Sequence, residues 1–309
     1  MTVRAYIDQG VGHIELDRPE AINALTLEMI RELTRILDDY AADDQIKSVE
    51  LRGLGERGFC AGADVRQLRD MVLAGEDPGV FFEAEYSLDR KVLTYPKAHT
   101  THIHGITMGG GMGISVHSGT RVVSPDAKLA MPETKIGLFP DVLMSWHLAW
   151  MPFEIGTHLG LTGNSFNAAD ALWLKLADSC DGEPPVGALA AQSEWIAQCY
   201  GGAETVGEII GRLEQHADPQ ARQTAADLRA RCPLSLAVTL EALRRARAIR
   251  TLASQLDQDL SVAKALAVKP DFAEGVRAQL VDRDRQPKWS HERVEDVSRD
   301  EVLACFANA

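Results

Sequence analysis

Hydrophobic and polar residues alternate over Val11–Leu16, which predicts a strand, and the Asp17-Arg18-Pro19-Glu20 segment after it predicts a turn. From Thr26, a residue type that often caps helices, apolar residues recur at helical spacing through position 37 and predict a helix. Residues 48–52 predict a short strand that enters a glycine-rich segment. The Ala61-Gly62-Ala63-Asp64 segment then precedes a second predicted helix.

Two more strand–glycine–helix units follow along the chain. Residues 97–106 are predicted to form one buried strand that leads into Gly109-Gly110-Gly111 and a helix from Met112. A further strand is predicted at 128–132, directly before Glu133. Strands that alternate with helices in this way are typical of α/β architecture.

The amino-acid composition of the sequence changes after about residue 204. Residues 204–230 and 234–267 are rich in Ala, Leu, Arg and Gln, and each stretch is predicted to form a long helix. The Pro184-Pro185 pair marks 182–186 as a linker, because consecutive prolines do not continue a helix. We therefore predict a core at residues 1–203 and a helical C-terminal region at residues 204–309.

Composition and charge narrow the class of protein. The 309 residues are 45% hydrophobic and 25% charged, as in ordinary globular proteins, and a net charge of -13 disfavours nucleic acid as a partner. The sequence contains no run of roughly 18 apolar residues, so no membrane span is predicted. Its five cysteines show no close pairing and its N-terminal segment does not resemble a signal peptide. These features predict a cytoplasmic location without disulfides or zinc.

The two glycine clusters are candidate anion-binding loops. At 60–64 and at 109–111, small residues stand where a strand turns into a helix, and backbone N–H groups at such helix starts bind anions. If both loops face one spot, they form an oxyanion hole. Each cluster alone also fits glycines that only permit a tight turn.

The candidate catalytic side chains are Glu133 and Asp141, which flank an apolar bend that contains glycine and proline. A partly buried carboxylate in such a bend is suited to act as a nucleophile or general base, although a helix cap or a surface acid fits each one alone. His102 and His104 share one strand face while His99 lies on the other. This parity favours structural histidines, and no metal site is predicted.

In combination these segments resemble the crotonase (enoyl-CoA hydratase/isomerase) superfamily over nearly the whole chain. Within it, the chain is most similar to the 3-hydroxyisobutyryl-CoA hydrolases. The segments that carry the resemblance are Leu16-Asp17-Arg18-Pro19, Ile22-Asn23-Ala24-Leu25, Phe59-Cys60-Ala61-Gly62-Ala63-Asp64, Ile106-Thr107-Met108-Gly109-Gly110-Gly111, Met131-Pro132-Glu133-Thr134, Gly137-Leu138-Phe139-Pro140-Asp141-Val142, Asp271-Phe272-Ala273-Glu274-Gly275-Val276-Arg277-Ala278 and Pro287-Lys288-Trp289.

The resemblance implies a spiral of β-β-α units with a helical C-terminal region, an acyl-CoA substrate, and no cofactor beyond the coenzyme A that is part of that substrate. By motif position, the N–H groups of Ala63 and Gly110 would form the oxyanion hole. Glu133 would be the main catalytic carboxylate and Asp141 its partner. Superfamily members commonly assemble as trimers, so the resemblance also implies a homo-oligomer.

The resemblance also suggests substrate-binding residues. Glu85 matches a glutamate that contacts substrate in the hydrolases, and the adenine of CoA would lie near Ala61 and Asp64. Arg18 and Arg66 are candidates for contacts with the CoA phosphates.

Three positions bear on the reaction. Hydratases of the superfamily carry a second glutamate where this chain has Gly113, and a glycine where it has Asp141. We therefore predict hydrolysis of a short-chain 3-hydroxyacyl-CoA such as 3-hydroxyisobutyryl-CoA, with valine catabolism as the implied pathway. The hydrolases usually have small residues where this chain has Leu143-Met144, so the sequence does not determine which acyl group the substrate carries. The alternatives are an enoyl-CoA hydratase or isomerase, and a non-catalytic acyl-CoA-binding protein.

Overall fold

The computed structural model describes residues 2–307. Its strands are β1 (Val3–Asp8), β2 (Val11–Leu16), β3 (Ser48–Gly53), β4 (Ala98–Ile103), β5 (Ile106–Met108), β6 (Thr120–Val123), β7 (Lys128–Ala130), β8 (Phe166–Asn167) and β9 (Ser179–Cys180). Its α-helices are α1 (Leu27–Ala42), α2 (Val65–Leu73), α3 (Gly79–Leu93), α4 (Gly110–Val116), α5 (Met144–Ala149), α6 (Ile155–Thr162), α7 (Ala168–Trp173), α8 (Leu189–Tyr200), α9 (Val206–Gln215), α10 (Pro219–Arg229), α11 (Pro233–Ala246), α12 (Leu252–Ala267), α13 (Pro270–Val276) and α14 (Arg299–Ala304). Every helix within the described range is too short or too polar to cross a bilayer.

The described residues form two compact units, each made of several stretches of chain. The first contains residues 2–64, 83–130 and 165–188, and the second contains residues 65–82, 131–164 and 189–307. The boundary predicted between residues 203 and 204 lies within the second unit. The division of the chain at that point therefore stays a prediction.

Both sheets belong to the first unit. The larger sheet has the strand order β1-β2-β3-β4-β6-β9, in which only β1 and β2 pair antiparallel. The smaller sheet has the order β5-β7-β8. The chain visits them alternately, running from β4 to β5, through α4, and then from β6 to β7. This alternation confirms the predicted α/β class and its spiral of β-β-α units.

Local sequence explains the first elements. In β2, Ile14 and Leu16 are buried while His13 and Glu15 are partly exposed, as the two-residue period of a strand requires. Helix α1 begins as predicted, because the Thr26 hydroxyl accepts a hydrogen bond from the Met29 N–H at 3.2 Å. The apolar stripe of α1, which includes Leu33, is buried.

The single strand predicted at 97–106 is wrong, because it is two strands in two different sheets. Gly105 interrupts it with a φ of 47°, in the left-handed region that favours glycine. A Cβ atom on Gly105 would lie only 2.6 Å from the Arg57 carbonyl oxygen. The close approach of these two chain segments therefore separates β4 from β5.

The second unit contains the C-terminal helices, and both long helices predicted there are wrong in length. The first is divided into α9 and α10 by Asp218, whose carboxylate accepts from the Gln220 N–H at 2.7 Å, and by Pro219. The second is divided into α11 and α12 by Thr251, whose hydroxyl accepts from the Ser254 N–H at 3.1 Å. In each case an N-cap residue starts a new helix.

Candidate active site

The first predicted anion-binding loop lies between β3 and α2 and is fixed by its main chain. Leu25 donates its N–H to the Gly62 carbonyl at 2.8 Å, and Asp64 donates to the Leu25 carbonyl at 2.7 Å. In this parallel bridge, the bonds to Leu25 come from the residues on either side of Ala63. The N–H of Ala63 itself therefore points away from Leu25 and is available to a ligand.

The buried side chain of Asn23 stabilises the segment that leads into the same loop. Its side-chain amide donates to the carbonyl oxygens of Leu54 and Phe59, both at 3.0 Å, and its oxygen accepts from the Arg18 N–H at 2.9 Å. Asn23 is fully buried and lies at a φ of 53°. Asn23, which is part of the resemblance, thus links the turn after β2 to the chain segment that leads into the predicted anion-binding loop.

The second predicted loop connects β5 to α4. Gly109 lies at a φ of 50° and donates its N–H to the Ala130 carbonyl at 3.2 Å. Helix α4 begins at Gly110, and the first N–H groups of a helix have no acceptor within that helix. The Gly110 N–H is therefore a second available donor.

The two loops meet at Gly110. A Cβ atom on Gly110 would lie 3.3 Å from the Ala63 nitrogen and 2.2 Å from Oε1 of Glu85. A Cβ on Gly62, which has a φ of 96°, would lie 3.2 Å from the Gly110 nitrogen. The first unit thus brings together the predicted Ala63, Gly110 and Glu85, in a space that only glycine at position 110 leaves open.

Glu85 lies on α3 and is 2% exposed. The pKa of the nearby Cys60 thiol is raised to about 12, mainly by burial; a hydrogen bond to the Gly62 carbonyl lowers it, and the charge of Glu85 has a smaller raising effect. The thiol of Cys60 donates to the Asn23 carbonyl at 3.2 Å. Cys60 therefore stays a neutral structural thiol and has no nucleophilic role at neutral pH.

The predicted adenine-binding residues lie beside an ion pair. Asp64 accepts a hydrogen bond from Arg18 at 2.6 Å, and Arg18 also donates to the Ala24 carbonyl at 3.0 Å. Ala61 is partly exposed. In the second unit, the Arg66 guanidinium donates to the carbonyl oxygen of Leu280. Both predicted phosphate-binding arginines thus have contacts within the protein.

Glu133 lies in the second unit, at the start of a single 3-10 turn after Pro132. Its carbonyl accepts from the N–H groups of Ile136 and Leu138 at 3.0 and 3.1 Å, and its side chain is buried. The next residue, Thr134, donates its hydroxyl to the Leu161 carbonyl at 3.0 Å. The turn that carries Glu133 is therefore held from both sides of the residue.

Helix α13 packs directly on the bend between Glu133 and Asp141. A Cβ on Gly275 would lie 2.5 Å from the Cα of Ile136, and a Cβ on Gly137 would lie 2.6 Å from the Asp271 carbonyl oxygen. Asp271 in turn accepts from the Ser290 N–H at 2.7 Å. The Asp271–Ala278 segment of the resemblance thus supports, through main-chain contact, the bend that carries the two candidate acids.

Asp141 is buried at the start of the turn that leads into α5. Its carbonyl accepts from the Met144 N–H at 2.8 Å. Val142 and Leu143 both lie in the left-handed region, with φ values of 49° and 63°. Leu143, one of the two residues that depart from the pattern of the hydrolases, therefore lies with Val142 in backbone that non-glycine residues rarely adopt.

Sequence reasoning missed Asp259, a fully buried acid on α12. Burial and then the charge of Asp141 raise the pKa of Asp259 to about 7, against hydrogen bonds from Ser145, Gln255 and Leu143 that lower it. One signal was present in the sequence, because Gln255 and Asp259 stand four residues apart and share a helix face.

The histidines considered as metal ligands have separate surroundings. His102 lies 3.2 Å from an Arg52 nitrogen and 3.6 Å from a Glu50 oxygen, and His104 contacts the Gly55 carbonyl at 2.8 Å. Burial lowers the pKa of His99 to about 4. Within residues 2–307, no three His, Cys, Asp or Glu side chains gather as metal ligands would.

A family model described as enoyl-CoA hydratase/isomerase matches residues 11–183 and 179–306. The chain therefore belongs to the enoyl-CoA hydratase/isomerase family, which is the crotonase family that its sequence resembles.

Individual relatives extend over almost the whole chain. The mitochondrial 3-hydroxyisobutyryl-CoA hydrolase of Danio rerio is 34% identical over 96% of this chain and 87% of its own length. The mitochondrial human enzyme of that name is 33% identical, with 94% and 84% covered. 3-Hydroxyisobutyryl-CoA hydrolase 1 of Arabidopsis thaliana is 34% identical, with 95% and 88% covered.

Two similar solved structures are named as a dehydratase and a hydratase, not as hydrolases. A carnitinyl-CoA dehydratase from Mycobacterium thermoresistibile is 36% identical with a TM-score of 0.95, covering 100% of this chain and 97% of that one. An enoyl-CoA hydratase from Rhodobacter sphaeroides 2.4.1 is 33% identical with a TM-score of 0.94, covering 99% and 97%.

Proposed function

We propose that the protein hydrolyses a short-chain 3-hydroxyacyl-CoA thioester to the free acid and coenzyme A. The observation that carries this proposal is the pair of buried acids, Glu133 and Asp141, on one bend held by α13. Gly113 on α4 provides no second proton-transfer group, and the similar 3-hydroxyisobutyryl-CoA hydrolases support the same reaction.

The amides of Ala63 and Gly110 are proposed to bind the thioester carbonyl oxygen. Negative charge grows on this oxygen when a nucleophile attacks the carbonyl carbon, and hydrogen bonds that strengthen with that charge lower the barrier. Loss of one such donor costs about 2.7–4 kcal/mol in transition-state stabilisation. Main-chain donors need no reorganisation during the reaction, which suits loops that are fixed by their own hydrogen bonds.

Glu133 is proposed as the catalytic carboxylate, by either of two routes. In the first, its carboxylate attacks the thioester carbon, the C–S bond breaks, and CoA leaves as the thiolate, which takes a proton. Water then hydrolyses the mixed anhydride and restores Glu133. In the second, Glu133 takes a proton from a water molecule as that water attacks the thioester carbon. The C–S bond then breaks, and the leaving CoA thiolate takes the proton from Glu133, which restores the carboxylate.

Asp141 is proposed to accept a hydrogen bond from the 3-hydroxyl group of the substrate or to orient the attacking water. Hydrogen bonds to a buried carboxylate are strong and directional, so they favour acyl groups that present a hydroxyl at the right place. Leu143 and Met144 are both buried after Asp141. We propose the branched 3-hydroxyisobutyryl group as the first substrate to test.

Several finer features belong to the same proposal. Coenzyme A is part of the substrate, and no separate cofactor is proposed. Glu85, Ala61 and Asp64 are proposed to contact the bound acyl-CoA. Valine breakdown, a homo-oligomeric assembly and a cytoplasmic location, predicted from the sequence, are kept as proposals, although the name of the similar human enzyme places that protein in mitochondria.

A dehydratase or hydratase is the second candidate function. The observation that favours it is the name carnitinyl-CoA dehydratase on a structure that is 36% identical to this chain. In that reaction Glu133 alone would move protons while the C–S bond stays intact.

The test is a panel of CoA esters with 3-hydroxyisobutyryl, 3-hydroxypropionyl, 3-hydroxybutyryl, isobutyryl and crotonyl groups. Free CoA is measured by reaction of its thiol with a chromogenic disulfide, and the crotonyl double bond is followed by ultraviolet absorbance. The proposal expects free CoA to appear fastest from the hydroxylated esters. Loss of the double bond without thiol release would establish the second candidate instead.

A further inference from the structure

The turn Asp141-Val142-Leu143 needs support from outside itself. Val142 and Leu143 have φ values of 49° and 63°, and a β-branched residue such as valine rarely adopts this conformation. Such backbone persists only where the surrounding structure holds it. A group that holds this turn therefore also fixes Asp141 at its start.

Asp259 provides that support. One of its oxygens accepts the N–H of Leu143 at 3.1 Å, and the other accepts from the Ser145 hydroxyl and the Gln255 amide, both at 2.8 Å. Gln255 also donates to the Ser145 hydroxyl oxygen at 2.8 Å. Asp259 thus joins helix α12 to the strained turn and to the first residues of α5.

The chemistry of Asp259 is unusual for a residue that only fills space. It has no exposed surface, and burial followed by the charge of Asp141 raises its pKa. Burying a carboxylate near another carboxylate is costly, and an apolar residue would pack at less cost. The cost is offset where the carboxylate keeps the Leu143 N–H bonded.

We propose that Asp259 is a positioning residue for hydrolysis, which acts through Leu143 and Ser145 to hold the Asp141 carboxylate in place. This inference rests on the proposed function, in which Asp141 contacts the 3-hydroxyl group or the attacking water. Asp259 itself touches neither substrate nor water in this proposal.

Two variants separate the hydrogen bond from the charge. Asp259→Asn keeps an oxygen that accepts from the Leu143 N–H, and Gln255 can turn its Oε1, which has no hydrogen-bond partner among residues 2–307, toward the new NH2 group. Asp259→Ala removes the acceptor. Gln258→Ala is the matched control, because Gln258 is buried on the same helix but donates to the Ala242 carbonyl at 3.3 Å.

We expect Asp259→Ala to lower kcat for 3-hydroxyisobutyryl-CoA by about tenfold or more, with KM changed by less than about threefold. Asp259→Asn and Gln258→Ala should stay within about threefold of wild type in kcat. Circular dichroism melting curves establish that each variant is folded at the assay temperature.

The decisive measurement is a double-mutant cycle with Asp141→Asn. If Asp259 acts through Asp141, the double variant Asp141→Asn/Asp259→Ala loses no more activity than Asp141→Asn alone. The inference would be overturned if the double variant showed the product of the two single losses of activity, or if Asp259→Ala were as active as wild type. Wild-type protein that releases no CoA would instead overturn the proposed function, so the two failures are distinguishable.

Discussion

The two units of the chain contain different kinds of candidate functional group. The first contributes main-chain amides at Ala63 and Gly110, in loops fixed by backbone bonds and by Asn23. The second contributes carboxylates, Glu133 and Asp141, on a bend that rests on α13 and on Asp259. The position of the main-chain donors in the first unit thus depends on the path of the backbone. The acids of the second unit depend on the identity of the side chains at two positions.

This difference determines how each part can fail. A main-chain donor cannot be removed by changing its own side chain, so it is lost when a new side chain fills the space in front of it. A carboxylate is lost by a single isosteric change, and its placement is lost when a supporting group is removed. Steric changes therefore test the first unit, and chemical changes test the second.

The largest effect among these is expected for Gly110→Ala. Its Cβ would lie 2.2 Å from a Glu85 oxygen and 3.3 Å from the Ala63 nitrogen, and so would occupy the space between the donors. We expect kcat to fall by about 100-fold to 1,000-fold, the usual loss of an oxyanion-hole donor. The measurement is steady-state release of CoA.

Gly211→Ala is the matched control for that change. A Cβ on Gly211, in the middle of α9, meets nothing within 4 Å, and alanine favours helix more than glycine. Its activity should equal that of wild type. If Gly110→Ala retains more than about a tenth of wild-type activity, position 110 does not border an oxyanion hole.

Asp141→Asn should give the next largest effect. We expect a loss of about 10-fold to 100-fold with hydroxylated esters, because a hydrogen bond to a charged acceptor is replaced by one to a neutral amide. Isobutyryl-CoA, which lacks the hydroxyl, should lose less. The ratio of kcat/KM for the two esters is the measurement, and equal losses for both would contradict anchoring of the hydroxyl and favour orientation of the water.

Gly275→Ala should weaken the support of the catalytic bend. Its Cβ would lie 2.5 Å from the Cα of Ile136, so helix α13 or the bend has to move. We expect the free energy of unfolding to fall by about 1–3 kcal/mol, as for other overpacked sites, with a smaller loss of turnover. Urea unfolding curves measure it, with Gly211→Ala as control. An unchanged midpoint would mean that α13 does not hold the bend closely.

The smallest effect is a pH dependence of stability. The pKa of Asp259 is raised from 3.8 to about 7, so its protonated form is favoured in the folded state. Its contribution to stability is full below pH 3.8 and is lost as the pH rises through about 7. Asp259→Asn does not titrate, so its Tm relative to wild type should increase between these pH values. A difference that stays constant with pH would contradict the raised pKa.

Much of the local structure followed from residue patterns alone. The alternation in β2, the Thr26 cap of α1 and the glycines before α4 each set a local conformation, and the structure has all of them. The acids Glu133 and Asp141, which the sequence singles out beside an apolar bend, are both buried, and their catalytic roles stay predictions.

The missed features depend on contacts that are distant in sequence. The break at Gly105 comes from its approach to Arg57, and Asp259 is hydrogen-bonded to a turn more than 100 residues away. The helix breaks at Asp218 and Thr251 were visible as capping residues, but the continuous Ala- and Leu-rich pattern around them outweighed that signal. Cap residues inside a long helical pattern deserve more weight than its overall composition.

In the proposed reaction, Glu133 drives CoA release. The most direct measurement compares free CoA formed from 3-hydroxyisobutyryl-CoA by wild type, by Glu133→Gln and by Glu194→Gln, an exposed control on α8. We predict that Glu133→Gln binds the ester but releases CoA at least about 1,000-fold more slowly, whereas Glu194→Gln equals wild type. Comparable CoA release by Glu133→Gln and wild type would mean that Glu133 is not the catalytic carboxylate.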